Sequence, residues 1–387
     1  MRLFVMTSRM PWPLEKGDKL RIYHQLKHLH QKHEVFLCCL TDKPLPADYE
    51  SRLKEICSDF KILRLSKGKI LLREALAIFD DRPFQVHYFF NRKHRKTVYQ
   101  LIEEFKPEHI YCQLIRAAEY VKHIHSVPKT LDYMDAFNKG IERRIDVSPW
   151  YLKWLWKLES RRLMAYENLI FEYFENHSII SEQDQQLIVH PQRGEISIIP
   201  NGVDADFFSP RKSHKSYDIV FVGNMNYPPN VDCVQHLVKD IMPLVWENRP
   251  ETNVLIAGAE PHPSVLSLES SKVTISGWVE DIRDSYASGR IFAAPLRIGT
   301  GLQNKLLEAM SMSIPCVTTS LANNALGAKE VEEILLGNDS RGFAAQLLKL
   351  LNDEGIRTEL GAKGRQYVQG EFSWDATTSQ LEALLKD

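Results

Sequence analysis

At 387 residues, 44% apolar and 26% charged, the chain is too long for one hydrophobic core and too apolar for disorder, so two globular domains are expected. Its six cysteines show neither CxxC nor Cys/His ligand spacing, which argues against a disulfide framework or a zinc site and suits a reducing compartment. Net charge is −1, yet residues 1–200 hold 32 basic against 26 acidic side chains and the remainder 17 against 24, so the halves differ in sign.

The opening MRLFVMTSRMPWP carries an apolar run far shorter than a signal peptide or a membrane span and meets prolines at once, which leads to a cytoplasmic expectation. Arg2 to Ser8 reads as a strand, PWPLEKGDK as a loop, Leu20 to Gln31 as an amphipathic helix and Glu34 to Leu40 as a second strand. That β-α-β order implies a parallel sheet. Residues 51–100 hold 12 basic and 5 acidic side chains, with Arg92, Lys93, Arg95 and Lys96 clustered, a surface suited to anions or to an anionic membrane face. A solvated basic face is the plainer reading, and no aromatic ladder for nucleic acid accompanies it. Helical Thr97 to Phe105 and strands His109 to Gln113 and Thr130 to Tyr133 continue the alternation. Trp150 to Glu175, free of Gly and Pro, reads as one long helix whose aromatic stripe packs on its own sheet or dips into a membrane interface; packing is the preferred expectation.

A turn-rich passage then leads to a new strand, Asp218 to Gly223, after which the alternation repeats: helix Val231 to Glu247, strands Asn253 to Gly258 and Val273 to Ser276, helix Asp281 to Ser288, strand Ile291 to Pro295, helix Lys305 to Ser311 and strand Cys316 to Thr319. The fold class expected is α/β, two Rossmann-like doubly wound domains facing a cleft. Such sheets bind ligands outside the carboxyl ends of their strands, so a pair of them suits a two-substrate reaction.

The densest chemistry lies in FAAPLRIGTGLQNKLLEAMSMSIPCVTT, residues 292–319. A strand ends at Pro295, a loop carries Arg297, Gly299, Thr300 and Gly301, and a helix begins near Leu302 or Gln303. Glycines admit close approach, a helix start offers unpaired N–H groups, and Arg297 and Lys305 flank the loop, an arrangement that neutralises a diphosphate without a metal. Glu308 lies three residues after Lys305, where its carboxylate can accept hydrogen bonds from vicinal ribose hydroxyls. A surface Lys–Glu pair would look the same, but the apolar Leu306, Leu307, Ala309 and Met310 weaken that alternative.

At these residues the chain resembles the GT4-like group of retaining GT-B glycosyltransferases, and more narrowly the sugar transferases found with exopolysaccharide and exosortase (PEP-CTERM) systems. The resemblance runs through GDKLR (Gly17 to Arg21), IPNGVD (Ile199 to Asp204), FVGNMNYPPN (Phe221 to Asn230), SGWVEDIR (Ser276 to Arg283), the segment above and FSWD (Phe372 to Asp375). It implies an acceptor-side domain at 1–195, a nucleotide-sugar donor domain at 196–370 and a closing helix at 371–387 that crosses back to the first domain. Arg297 and Lys305 would then contact the donor diphosphate and act in catalysis, Glu308 the ribose, and Gly223, Asn224, Gly299, Thr300, Gly301 and Leu302 the donor. Gly17 would lie in a loop between domains near the transferred sugar, with Asp18, Lys19 and Arg21 on the acceptor side. Two departures are visible: Thr300 stands where many relatives carry a first glutamate, and GNMNYPPN lacks the usual Arg and Lys after its glycine.

Asp132 and Asp135 follow a strand and suit acceptor hydroxyls, and Arg116 follows another and suits an acceptor phosphate; capping or local pairing is the alternative for each. The 14 histidines show no HExxH or comparable spacing, and no cofactor or metal is expected. The function expected is transfer of a sugar from a nucleotide-diphosphate sugar to a glycan or lipid-linked acceptor in cell-surface polysaccharide synthesis, with retention. The partners are that donor and acceptor, without nucleic acid, and the place is the cytoplasm with peripheral contact at the inner membrane face. A nucleotide-sugar epimerase and a non-catalytic nucleotide-sugar-binding scaffold are the competing readings. A dinucleotide-dependent oxidoreductase fits poorly, because neither MTSRMPWP nor FVGNMNYPPN offers GxGxxG.

Overall fold

Strand β1 (Arg2–Thr7) shows how the first half is built. Its side chains alternate faces, as a pleated strand requires: Phe4 and Met6 enter one buried cluster, Leu3 and Val5 another. Strand β2 (Glu34–Thr41) does the same, with Phe36, Cys38 and Leu40 on the first side and Val35, Leu37 and Cys39 on the second. A strand buried on both faces is the mark of a parallel sheet covered by helices on each side.

The computed structural model describes residues 1–387 apart from 15, 67, 69–76, 78, 79, 139, 140, 142–144, 146, 147, 299, 300 and 387. The chain divides into two compact units, Met1–Pro200 with Thr377–Asp387, and Asn201–Ala376. In the first, strands β3 (Asp59–Arg64), β4 (His109–Gln113), β5 (Lys129–Asp132), β6 (Asn176–Ile179) and β7 (Ser197–Ile198) join β1 and β2 in a parallel sheet of order β3-β2-β1-β4-β5-β6-β7. In the second, β8 (Tyr217–Val222), β9 (Val254–Ala257), β10 (Val273–Gly277), β11 (Gly289–Ala294), β12 (Cys316–Thr318) and β13 (Leu335–Leu336) form a parallel sheet of order β10-β9-β8-β11-β12-β13. Both are Rossmann-like α/β sheets. Strand order reverses beside β1 and β4 in one and beside β8 and β11 in the other, and a ligand crevice is expected in each where those two strands end.

Some elements differ from the sequence expectation. The helix expected over 231–247 is three pieces: Pro228–His236, a wider π-helical turn Leu237–Ile241, and Met242–Asn248. Pro243, in the first turn of the last piece, has no amide hydrogen for the carbonyl a turn earlier, and the ladder adjusts around it. The long aromatic helix is Lys153–Phe171. Its second half packs through Leu163, Tyr166, Ile170 and Phe171, whereas Trp150, Tyr151 and Trp154 are exposed, at 84%, 57% and 57%. Packing therefore accounts for only part of that stripe. The basic cluster opens the helix Arg92–Phe105, which starts earlier than expected because Asn91 caps it, its side chain accepting from the Lys93 amide at 2.9 Å.

Of the closing segment, Thr377–Asp387 belongs to the first unit: Leu381 and Leu385 enter its core, and Glu382 pairs with Lys32 at 2.8 Å. All six cysteines are buried and free.

Candidate active site

The second unit's crevice opens where β8 passes into Gly223 and Asn224 and β11 leads to Arg297. Gly223 is constrained: a β-carbon there would lie 2.6 Å from Asn230 Nδ2. Asn230 ties the site together. Its Nδ2 donates to the Asn224 carbonyl at 2.8 Å, and its Oδ1 accepts from Lys305 Nζ, also at 2.8 Å. Asn224 itself is exposed and uses its Oδ1 to accept from the Asn226 amide at 2.8 Å, which shapes the turn. The sequence motif alone assigns Asn230 no role; its place in the first turn of the helix Pro228–His236 that follows Gly223 is the available signal.

Lys305, in the first turn of the helix Asn304–Ser311, also donates to Gln303 Oε1 at 3.1 Å and lies 5.6 Å from the centre of the Phe221 ring. Both hydrogen-bond acceptors are neutral, and burial lowers its ammonium pKa below the usual value. Arg297 is half exposed and forms a bidentate pair with Asp232, at 2.6 and 3.1 Å, which raises its pKa. Asp232 therefore occupies the guanidinium face that an anion would use. Glu308 accepts a 2.7 Å hydrogen bond from the Tyr286 hydroxyl, and burial pushes its carboxyl up to about 7 against the opposing pull of Tyr286 and Lys305. Tyr286, fully buried on the helix Ile282–Ser288, is a second partner not identified from sequence. Gly299 and Thr300 lie outside the described residues. Gly301 has nothing within 4 Å of where a β-carbon would stand, its carbonyl accepts from Gln303 Nε2 at 2.8 Å, and Leu302 packs against the core.

In the first unit the expected acceptor-side residues separate into two groups. Arg21 and Asp132 are fully buried and bonded to each other, Nε to Oδ2 at 2.8 Å and Nη2 to Oδ1 at 3.3 Å. Tyr111 and Ser178 hydroxyls donate to the same carboxylate at 3.1 and 3.0 Å, and Arg21 Nη1 reaches the Pro200 carbonyl at 3.2 Å. This corrects the sequence reading: both side chains are consumed in joining strands to helix and face no acceptor surface. Gly17 is corrected too, since it is the first residue of the helix Gly17–Leu29 and not a loop residue. Asp18 pairs with Arg9 at 2.6 Å, and its carbonyl accepts from Gln113 Nε2 at 2.9 Å.

Lys19 and Arg116, in contrast, line a cavity of about 1010 Å³ in this unit, together with Asp135. The Asp135 side chain reaches water through that cavity, and the surrounding protein, with Asp184 nearby, pushes it up to about 6. Arg116 donates from Nε and Nη2 to Gln85 Oε1 at 2.9 and 2.5 Å, and its guanidinium lies 4.3 Å from the Phe137 ring centre. Among the described residues no His/Cys/Asp/Glu group could hold a metal ion, and no helix is long and apolar enough to cross a membrane.

Residues 216–353 match the family model described as "Glycosyl transferases group 1". Over 96% of both chains, the protein is 23% identical to an uncharacterized 44.6 kDa protein in the cps region of Klebsiella pneumoniae. It is 29% identical, over 49% of its own length and 55% of the other's, to the GDP-mannose-dependent monoacylated alpha-(1-6)-phosphatidylinositol monomannoside mannosyltransferase of Corynebacterium glutamicum. The fold is shared with the crystal structure of Anabaena Alr3699/HepE in complex with UDP, at TM-score 0.68 and 13% identity over the whole of both chains.

Proposed function

We propose that this chain, built of two Rossmann-like units of the GT-B kind, is a group 1 glycosyltransferase that moves a sugar from a nucleotide-diphosphate sugar to a glycan or lipid-linked acceptor. The observation that carries the reading is the group of side chains beyond β8 and β11 in the second unit. There Arg297 and Lys305 flank a glycine-bearing loop that leads into a helix start, and a carboxylate held by Tyr286 lies one turn further along. Two cations beside unpaired helix amides stabilise a diphosphate in the ground state and more strongly as it gains charge on leaving. Glu308 contacts the ribose, a part of the donor that the chemistry leaves unchanged, while Gly223, Asn224, Gly301 and Leu302 line the donor site.

Transfer proceeds with retention in this proposal: the departing phosphate takes the acceptor proton on the same face, so no side-chain base and no metal ion is required. The process is cell-surface polysaccharide synthesis, of the exopolysaccharide type with which the motifs share their resemblance. It takes place in the cytoplasm at the inner membrane face, where exposed Trp150, Tyr151 and Trp154 and the basic helix start at Arg92 suit an anionic interface. Flotation with anionic and neutral vesicles at low salt tests that contact, and equal recovery with both would remove it.

The test of the reaction is acceptor-dependent release of nucleoside diphosphate across a panel of nucleotide sugars, run with and without chelator. Conversion of donor without any acceptor would indicate an epimerase, and donor binding without turnover a scaffold. Release abolished by chelator and restored by a divalent ion would overturn the metal-free proposal.

A further inference from the structure

The first unit's cavity carries a combination of groups that the transferase reading does not by itself require. It sits where β1 and β4 end, the point at which strand order reverses. Its walls include Trp12, Tyr88, Phe89, Phe137, Leu155 and Trp156, far more apolar surface than a bare glycan needs. Two guanidiniums share one of these rings, Arg9 at 5.9 Å and Arg116 at 5.7 Å from the centre of Phe89. Arg9 has a carboxylate, Asp18. Arg116 bonds only the neutral Gln85, and no carboxylate among the described residues makes an ion pair with it. Burial and the neighbouring Arg9 press its pKa down to about 10. Asp18, Asp135 and Glu159 offset this from nearby, but among the described residues none of them bonds the guanidinium, so a phosphate that does so adds a contact these carboxylates do not make. The carboxylates of Asp135 and Asp184, on the same lining, make the rest of the cavity unsuited to an anion and suited to sugar hydroxyls.

We propose, resting on the transferase reading, that the acceptor is a phosphate-linked glycolipid. The Arg116 guanidinium, with Arg9 beside it, holds the phosphate ester, the aromatic walls take the apolar chain, and Asp135 accepts a hydrogen bond from a sugar hydroxyl. Arginine suits this role because its planar fork grips a phosphate through two oxygens while its face stays on an aromatic ring.

Intrinsic tryptophan fluorescence of the full chain, with Trp12 and Trp156 in the cavity wall, reads binding directly. The probes are decyl phosphate, decanol and glucose 1-phosphate, all below any micellar concentration. The expected result is that decyl phosphate binds at least about tenfold more tightly than either of the others, that salt erodes its advantage over decanol, and that Arg116→Gln abolishes that advantage. Arg297→Ala leaves decyl phosphate binding unchanged, which places the site outside the donor crevice. Arg9→Gln is the second variant, expected to lower the preference severalfold even should Arg116→Gln fail to fold. Equal binding of decanol and decyl phosphate would overturn the phosphate contact, as would a preference retained in folded Arg116→Gln or unchanged in Arg9→Gln. Glucose 1-phosphate binding as tightly as decyl phosphate would overturn the apolar chain. Because no sugar transfer is involved, the outcome is separable from the reaction: transfer to neutral acceptors with no phosphate preference sinks this inference alone, and phosphate-amphiphile binding without any transfer sinks the enzymatic reading alone.

Discussion

The two crevices place an arginine just beyond the central strands of each sheet, and the two side chains are compensated in opposite ways. Arg297 is half exposed and held by Asp232 in a bidentate pair. Arg116 is set against Phe89 and Phe137 and, among the described residues, bonded to the neutral side chain of Gln85 alone. Nearby Arg21 is a third case, fully buried with a carboxylate satisfied by two hydroxyls. The same residue type therefore serves as a buried structural joint, as a half-exposed ion-paired side chain, or as one set against aromatic rings with nearby carboxylates that do not bond it. Which it is depends on the partner and the degree of burial, not on position along the chain.

Breaking the structural case has the largest expected effect. Asp132→Asn leaves the Arg21 charge buried without its counter-ion and should destabilise the protein by about 3–5 kcal/mol, measured by urea unfolding. Arg297→Ala, half exposed, should change stability by no more than about 0.5 kcal/mol. A similar loss in both variants would erase the distinction between joint and ligand contact.

In catalysis the order reverses. Folded Arg297→Ala and Lys305→Ala should each lower turnover by on the order of a hundredfold, since a preorganised cation counts most as the leaving group gains charge. Normal turnover with every active donor would dismiss the phosphate assignment.

Glu308 sharpens the contrast through pH. Its carboxyl, raised to about 7, is protonated in the folded protein where an unfolded glutamate is ionised. Between the ordinary glutamate range and about 7 the folded state thus holds the extra proton, and this group's contribution to stability falls as pH rises through that window. In the proposed role the ribose hydroxyls donate to the carboxylate, so donor affinity should increase with pH through about 7, by about tenfold overall. Glu308→Gln should flatten that profile and raise KM more than it lowers kcat. An unchanged pH profile in this variant would exclude the carboxylate as its source.

The smallest effect belongs to Asp232. Its pair with Arg297 is partly exposed and worth up to about 1 kcal/mol, so Asp232→Asn should tighten donor binding by about two- to fivefold in calorimetric titration. Weaker binding would show that Asp232 helps the donor site and does not compete with it.

Most strands were legible because a fully buried parallel strand is an unbroken apolar run, as in Leu3 to Met6 or Ile219 to Val222. β3, at an edge with the polar sequence DFKILR, β6, with the half-polar sequence NHSI, and the two-residue β7 and β13 were not, because such strands depend on neighbours for their form. At the candidate site of the second unit, spacing along one loop and helix was enough to single out Arg297, Lys305 and Glu308 as candidates. Asn230, Tyr286 and Asp232 contact them from elsewhere in the chain, and no local pattern reports such contacts. Arg21 and Asp132 were misread for the same reason: separated by 111 positions, they meet only through the sheet.

The burial of all six thiols has a use as a reporter. Desolvation raises every one of them well above the ordinary cysteine range, to about 12 for Cys38 and Cys57, so thiolate chemistry is suppressed while the fold is closed. Four of them (Cys38, Cys39, Cys57 and Cys112) belong to the first unit and two (Cys233 and Cys316) to the second. A pulse of alkylating reagent followed by peptide mapping therefore times the opening of each unit separately within the intact chain. Cys233, next along the helix from Asp232, also registers whether a ligand bound in the second unit slows that opening.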